Sequence, residues 1–133
     1  MILLDTHALV WVTGEDRKLG RKARALIDRI WDDGQVGVSA LSFWEAGLLA
    51  ARGRISLPGT PQQWRLDLLA AGILEFPLTG DIALRTLDLS GLPDDPADRF
   101  ITATALVHNA ILLTADERLL GWRHSLERVN AAE

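Results

Sequence analysis

The sequence contains no cysteine and no tyrosine, and it has no long apolar run. The lack of cysteine excludes disulfides, thiol catalysis and Cys-rich zinc sites, and it suits a reducing cytoplasm. No stretch approaches the roughly 18 apolar residues of a membrane-spanning helix. A signal peptide is not expected either, because the N-terminus has no basic region and Asp5 interrupts its apolar stretch. We therefore expect a cytoplasmic protein that does not associate with a membrane.

Basic residues are fewer than acidic ones, at 14 against 18, which gives a formal net charge of −4. This balance argues against a passive nucleic-acid coat, which is typically basic. The chain has 133 residues, of which 48% are hydrophobic, so it is long enough for a buried core and too apolar for disorder. No repeat, low-complexity segment or long linker is present. We expect a single domain over residues 1–133.

Short apolar segments alternate with longer segments of helical periodicity. Strands are predicted at residues 2–4, 35–39, 73–76, 110–114 and 127–130, and helices at 19–31, 40–52, 61–71, 81–89 and 96–108. Thr60 and Asp95 each precede a proline, which is typical of a helix N-cap. Continuously apolar strands are typical of a parallel sheet covered on both faces. The alternation predicts a three-layer α/β/α fold with a five-stranded, mostly parallel sheet.

Three aspartates occupy positions that suit either a functional site or a helix cap. Asp5 directly follows the first predicted strand, and Asp116 lies just beyond the fourth. In an open parallel sheet, ligands bind at the carboxyl ends of the strands. Each aspartate is equally well explained as the N-cap of a following helix. Asp98 suits the third position of a helix capped by Asp95, and this structural explanation is the stronger one for Asp98 alone.

Glu45 is harder to explain as a structural residue. It borders the apolar stripe of its predicted helix, and no lysine or arginine lies within four residues of it. A buried carboxylate without a partner is costly, whereas Mg²⁺ or Mn²⁺ would satisfy it with oxygen ligands. An acidic cluster of this kind suits metal-assisted phosphoryl transfer. Zinc is a poor match, because the three histidines show no ligand spacing and are expected in surface or capping positions.

Four hydroxyl side chains lie close to these acids in the sequence: Thr6, Ser39, Ser42 and Thr114. They suit ordinary caps and turns. They equally suit a role in which they orient the carboxylates and the water molecules on a metal.

Four sequence blocks resemble the motifs of PIN-domain proteins, specifically the VapC toxins of bacterial and archaeal toxin–antitoxin pairs. The blocks are LLDTHALVW at residues 3–11, VSALSFWE at 38–45, DPADRFI at 95–101 and LLTAD at 112–116. They occur in the family's order and spacing, and the resemblance extends from residue 1 to about residue 130. It implies a five-stranded parallel sheet flanked by helices.

The resemblance also implies an activity and partners. It implies a Mg²⁺- or Mn²⁺-dependent endoribonuclease that cleaves RNA, and a homodimer. It further implies a cognate VapB-type antitoxin, whose C-terminal tail lies in a groove and occludes the site. The acidic motif positions are occupied by Asp5, Glu45, Asp98 and Asp116, and a commonly polar position by Thr114. Asp94 and Asp95 add further negative charge nearby.

An RNA substrate would need basic contacts, and the sequence offers two sets. The stretch at residues 17–29 contains six basic residues and one acidic residue, and it begins with Arg17, Lys18, Arg21 and Lys22. It suits a solvated helix face somewhat better than a track for the RNA backbone. Arg99, next to Asp98, suits contact with a phosphate or with a neighbouring carboxylate.

Five tryptophans are present, which is many for this length. Most are expected in the core, because tryptophan is usually well buried. One or two of Trp11, Trp44 and Trp64 are predicted to border an apolar groove for a partner helix.

Other acidic α/β proteins match less well. A receiver domain needs a lysine after the last core strand, and none follows the fourth predicted strand. A haloacid-dehalogenase-type phosphatase needs a second aspartate two residues after the first, where this chain has His7. A glycine-rich phosphate loop is absent. The remaining alternative is a catalytically silent PIN-like interaction module. A metal-dependent enzyme would show saturable Mn²⁺ binding that Asp98→Asn abolishes, whereas the module would show no such binding.

Overall fold

The computed structural model describes all 133 residues as five strands and seven α-helices. The strands are β1 (Ile2–Leu4), β2 (Val36–Ser39), β3 (Leu74–Phe76), β4 (Ile111–Thr114) and β5 (Arg128–Asn130). The helices are α1 (Thr6–Thr13), α2 (Arg21–Trp31), α3 (Ala40–Ala51), α4 (Pro61–Ala70), α5 (Gly80–Arg85), α6 (Pro96–Val107) and α7 (Glu117–Leu120). A 3₁₀ turn, Thr86–Asp88, follows α5. All five predicted strands are present.

The predicted helix at residues 81–89 is shorter than expected. It ends as an α-helix at Arg85 and continues as the 3₁₀ turn. The Thr86 hydroxyl donates a hydrogen bond to the Ala83 carbonyl, an arrangement in which a side chain competes with the backbone ladder. Thr60 and Asp95 cap α4 and α6 as predicted, by accepting from the backbone N–H groups of Gln63 and Asp98.

All neighbouring strands are parallel, in the order β3-β2-β1-β4-β5. The chain runs outward from β1 through β2 to β3 and then returns to the other side of β1 to form β4. The direction of winding therefore changes between β1 and β4, where an open sheet of this kind has its binding crevice. The carboxyl ends of both strands lie at that crevice.

Apolar clusters cover both faces of the sheet. Ile2 and Leu4 point into a cluster of 16 buried residues with parts of α1, α2, α3 and α4. Leu3 points the other way, into a cluster of 12 buried residues with parts of α5, α6 and α7. This alternation is the two-residue period of a strand, and it accounts for the continuously apolar sequence of β1. The predicted three-layer architecture is confirmed.

Helix α3 packs against both α1 and α6. It thereby brings Glu45, in the middle of α3, towards the first turn of α6, which carries Asp98. No helix of the structure has the length and apolar character needed to cross a bilayer.

The tryptophans are less buried than predicted. Trp64 and Trp122 are in the core, Trp11 and Trp31 are half-buried, and Trp44 is exposed. Trp44 lies next to Glu45 on α3, on the side that no other helix covers, so its helical position did not imply burial. The proposed groove for a partner helix stays a prediction.

Candidate active site

A cavity of about 320 Å³ opens at the carboxyl edge of the sheet. It is lined by Asp5, Thr6, His7, Trp11, Glu45, Asp95, Asp98, Ala115, Asp116 and Arg118. All four acids singled out in the sequence are among these residues. They come from four places in the chain, and the fold brings them to one cavity.

Asp5 is both a cap and a cavity residue. One carboxylate oxygen, Oδ1, accepts the backbone N–H of Ala8 at 2.9 Å and so caps α1. The other, Oδ2, accepts the hydroxyl of Thr114 across the gap between β1 and β4. Asp5 is only 8% exposed, and burial raises the pKa of its carboxyl above the ordinary value. Asp5 therefore caps α1, and its role in a functional site stays a prediction that its place in the cavity permits.

Asp98 has a strongly perturbed carboxyl. Burial raises its pKa to about 7, and the negative charges of Asp95, Asp116, Glu45 and Asp5 add to the rise in that order. The anion is thus poorly compensated at neutral pH. Strong perturbation by burial and by specific charges in a cleft is characteristic of functional sites.

Asp116 is compensated by Arg118, a residue that the sequence analysis missed. Burial alone would raise the pKa of Asp116, but hydrogen bonds from the side chain and backbone N–H of Arg118 hold it below its ordinary value. Arg118 Nη2 lies 3.1 Å from Asp116 Oδ2 and 3.5 Å from Asp98 Oδ2. The two-residue spacing from Asp116 was the only signal in the sequence.

The predicted hydroxyl residues differ in their contacts. Thr114 joins two of the acids, because its hydroxyl donates to Asp5 and accepts the backbone N–H of Asp116 at 3.0 Å. The Thr6 hydroxyl donates to that of Ser42 at 3.1 Å in a buried pair, of which Thr6 lines the cavity. Ser39 caps α3 by accepting the backbone N–H of Leu41, so its hydroxyl has the ordinary capping role.

Arg99 is turned away from the cavity. Its guanidinium donates to the carbonyls of Leu92 at 2.9 Å and Thr86 at 2.8 Å, with a weaker contact to Pro93 at 3.5 Å. Its ion pair is with the exposed Asp94 at 3.9 Å. The structure thus gives Arg99 a structural role that holds the segment before α6, together with a contact to the neighbouring carboxylate of Asp94. The predicted contact with phosphate stays a prediction.

The other predicted basic residues lie apart from the acidic cavity. Arg17, Lys18, Arg21 and Lys22 are all exposed, and none of them lines the cavity. Arg17 and Arg21 line a separate depression. Their role as an RNA track stays a prediction.

Two further cavity residues, His7 and Trp11, lie one turn apart on α1. The His7 ring is exposed and stands 6.4 Å from the Trp11 ring, centroid to centroid. The charge of His7 also lowers the pKa of Asp5 slightly against the larger effect of burial. The expectation that His7 is a surface residue is met, but the surface it occupies is the wall of the cavity.

The donor set suits a hard divalent cation. Five carboxylates, the four predicted ones and Asp95, face one cavity, and only one guanidinium opposes them. No three of them lie at distances that would coordinate one ion directly. Mg²⁺ keeps several of its waters and is commonly held by one or two carboxylates, so this spacing agrees with binding partly through water.

Comparison with known proteins finds similarity to one family profile and to a curated relative. A profile of the PIN domain matches residues 2–121. A protein named ribonuclease VapC22 from Mycobacterium tuberculosis is 36% identical over 124 residues, which is 92% of each chain.

Solved structures share the fold at low sequence identity. A toxin–antitoxin complex from Klebsiella pneumoniae has a TM-score of 0.67 and 22% identity, and covers 98% of both chains. VapBC2 from Rickettsia felis bound to promoter DNA has a TM-score of 0.71 and 16% identity, with the same coverage. From its sequence and fold together, the chain belongs to the PIN-domain family and is a member of its VapC-type branch.

Proposed function

We propose that this protein is a metal-dependent endoribonuclease of the VapC toxin type, which acts in the cytoplasm and is inhibited by a cognate antitoxin. The observation that carries the proposal is the convergence of four carboxylates on one cavity, with the pKa of Asp98 raised to about 7. The relative from Mycobacterium tuberculosis is named as a ribonuclease, which supports the assignment of RNA as substrate.

Asp5, Glu45, Asp98 and Asp116 would hold one or two Mg²⁺ or Mn²⁺ ions. A bound divalent ion supplies a more acidic water and positive charge at the oxygens of the scissile phosphate. The expected reaction is in-line hydrolysis of a phosphodiester, which leaves a 5′-phosphate on one product and a 3′-hydroxyl on the other.

The protein's own residues prepare this chemistry by fixing the carboxylates. Thr114 sets the orientation of Asp5 through its hydroxyl and anchors the start of the Asp116 turn. Asp95 caps α6, which fixes the backbone of Asp98. Preorganised charges of this kind cost no reorganisation during the reaction. The open cavity suits a single-stranded or looped RNA, whose backbone is free to enter a surface cleft.

Partners follow from the same relatives. The similar structures from Klebsiella and Rickettsia are complexes of a toxin with an antitoxin. We therefore propose a VapB-type antitoxin for this chain, which would block access to the cavity, and a homodimer as the form of the toxin.

The decisive variant is Asp5→Asn. Alanine at this position would remove the N-cap of α1 as well as the charge, whereas asparagine is itself a good N-cap. We expect the asparagine variant to fold and to lose RNA cleavage by at least about a hundredfold. The measurement is sequencing of 5′-phosphate RNA ends after induced expression of either protein, followed by cleavage of a matched RNA in Mg²⁺.

Cleavage by Asp5→Asn at the wild-type rate would contradict the assignment. A silent PIN-like module is the competing function. In that case neither the wild type nor Asp5→Asn would produce new RNA ends, and the wild type would show no saturable Mn²⁺ binding.

A further inference from the structure

Arg118 is the only arginine or lysine that lines the acidic cavity. Its Nη2 atom bridges two acids from different elements, Asp98 at the start of α6 and Asp116 before α7. The bridge uses Oδ2 of both carboxylates. These are two of the four acids assigned above to metal binding, so this inference rests on the proposed function.

The guanidinium and a divalent cation compete for the same two carboxylates. Both are positive, and both need the oxygen atoms that now face Nη2. Repulsion between like charges at such short range is large compared with thermal energy, even where solvent screens it. Metal binding should therefore release Arg118 from at least one of its carboxylates.

The surroundings of Arg118 permit that release. Its side chain is 58% exposed, and its guanidinium has no hydrogen-bond partner other than Asp116 and no ion-pair partner other than Asp98 and Asp116. Arg118 lies on the short helix α7, and its side chain both lines the cavity and is exposed to solvent. Once released, its planar fork of five donors faces the solvent at the entrance, where it suits two oxygens of a phosphate.

We propose that Arg118 exchanges partners during the catalytic cycle. Its guanidinium contacts Asp98 and Asp116 in the metal-free protein, and it binds a backbone phosphate of the RNA after metal has taken these acids. Arg118 thus lowers the affinity for metal while raising the affinity of the metal-loaded protein for RNA. A purely structural arginine would not have these two opposite effects.

The first arm of the test measures Mn²⁺ binding by calorimetry, with no RNA present. We expect Arg118→Gln to bind Mn²⁺ more tightly than wild type by about threefold to thirtyfold, because an opposing charge is gone. Arg118→Lys keeps the positive charge, and its affinity for Mn²⁺ should lie between that of wild type and that of Arg118→Gln. Arg123→Gln is the matched control, since Arg123 is exposed and takes part in no ion pair or side-chain hydrogen bond. It should bind like wild type.

The second arm measures RNA binding with Ca²⁺ as the bound cation, using a fluorescein-labelled single-stranded oligouridine. We expect Arg118→Gln to bind this RNA about tenfold more weakly than wild type, as for the loss of one charged hydrogen bond. The slope of log affinity against log salt should also fall by about 0.7, the value for one phosphate contact to a single strand.

The outcomes separate the two proposals. If the wild type shows no saturable Mn²⁺ binding, the metal-dependent function fails. If the wild type binds Mn²⁺ and Arg118→Gln binds it equally or more weakly, the exchange by Arg118 is refuted and the function stands. Unchanged RNA affinity and an unchanged salt slope in the variant would likewise overturn the exchange.

Discussion

The carboxylates at the ends of β1 and β4 serve two purposes at once. Asp5 and Asp116 each accept the backbone N–H of the residue two or three positions on, and so begin α1 and α7. The same side chains face the cavity. A cap needs a short acidic side chain at the start of a helix, and a site at the sheet edge needs one at the end of a strand. In this fold the two places coincide.

The raised pKa of Asp98 makes a prediction about stability. A carboxyl whose pKa is higher in the folded state than in the unfolded chain favours folding only when it is protonated. Its stabilising contribution is therefore lost as pH rises from the ordinary aspartate value to about 7, and the full penalty remains above that. Asp98→Asn removes the penalty.

We expect metal-free Asp98→Asn to be more stable than wild type at pH 8 by about 1–2 kcal/mol, a value reduced for partial solvent exposure. The difference should shrink towards pH 4. Thermal unfolding in EDTA across this pH range provides the measurement, with Asp33→Asn, an exposed aspartate outside the cavity, as control. A variant less stable than wild type at pH 8 would show that the charged form of Asp98 is well compensated.

At the scale of elements, the approach to α6 depends on one half-buried cation, Arg99. Arg99 ties the carbonyls of Thr86 and Leu92 to the first turn of α6. That turn also holds Asp98 and is capped by Asp95. The segment from the 3₁₀ turn to α6 thus has a fixed geometry, although it contains little regular structure.

Arg99→Met should loosen this segment and lower the free energy of unfolding by about 2 kcal/mol, since charged hydrogen bonds to buried carbonyls are lost. Urea denaturation would measure the free energy, and amide hydrogen exchange of residues 86–95 would localise the change. Arg123→Gln should leave both unchanged. Should Arg99→Met keep full stability and lose only RNA affinity, the phosphate contact expected from the sequence would be right after all.

At the scale of the whole molecule, the charge has a specific location. The chain has 14 basic and 18 acidic residues, and the five acids and one arginine that line the cavity together carry the same formal charge of −4 as the whole chain. The rest of the molecule is therefore balanced. Two divalent cations would neutralise the four acids, so the negative charge does not oppose an RNA partner once metal is bound.

Metal should consequently stabilise the whole domain. A ligand at about a hundredfold excess over its Kd contributes about 2.7 kcal/mol, which corresponds to roughly 8 °C in Tm for a chain of this size. We expect MnCl₂ to raise the Tm of wild type by this order and to have little effect on Asp98→Asn. NaCl of equal ionic strength is the control for screening, and an equal rise in both proteins would place the metal elsewhere.

The five strands, the longer helices and the four candidate acids could all be predicted from the amino-acid sequence. Short apolar runs between turn residues, such as Ile2 to Leu4, are typical of strands buried on both faces, and the prolines after Thr60 and Asp95 mark where two helices begin. These are local effects of side chains on their own backbone.

Which charged side chains meet depends on the tertiary structure. Arg118 lies 20 residues from Asp98, and the pair exists because α6 and α7 both reach the cavity. Arg99, although adjacent to Asp98, points towards carbonyls that the 3₁₀ turn and its following loop present. Electrostatic energy depends on the distance between charges in space and on their burial, and neither can be predicted from the neighbouring residues in the sequence.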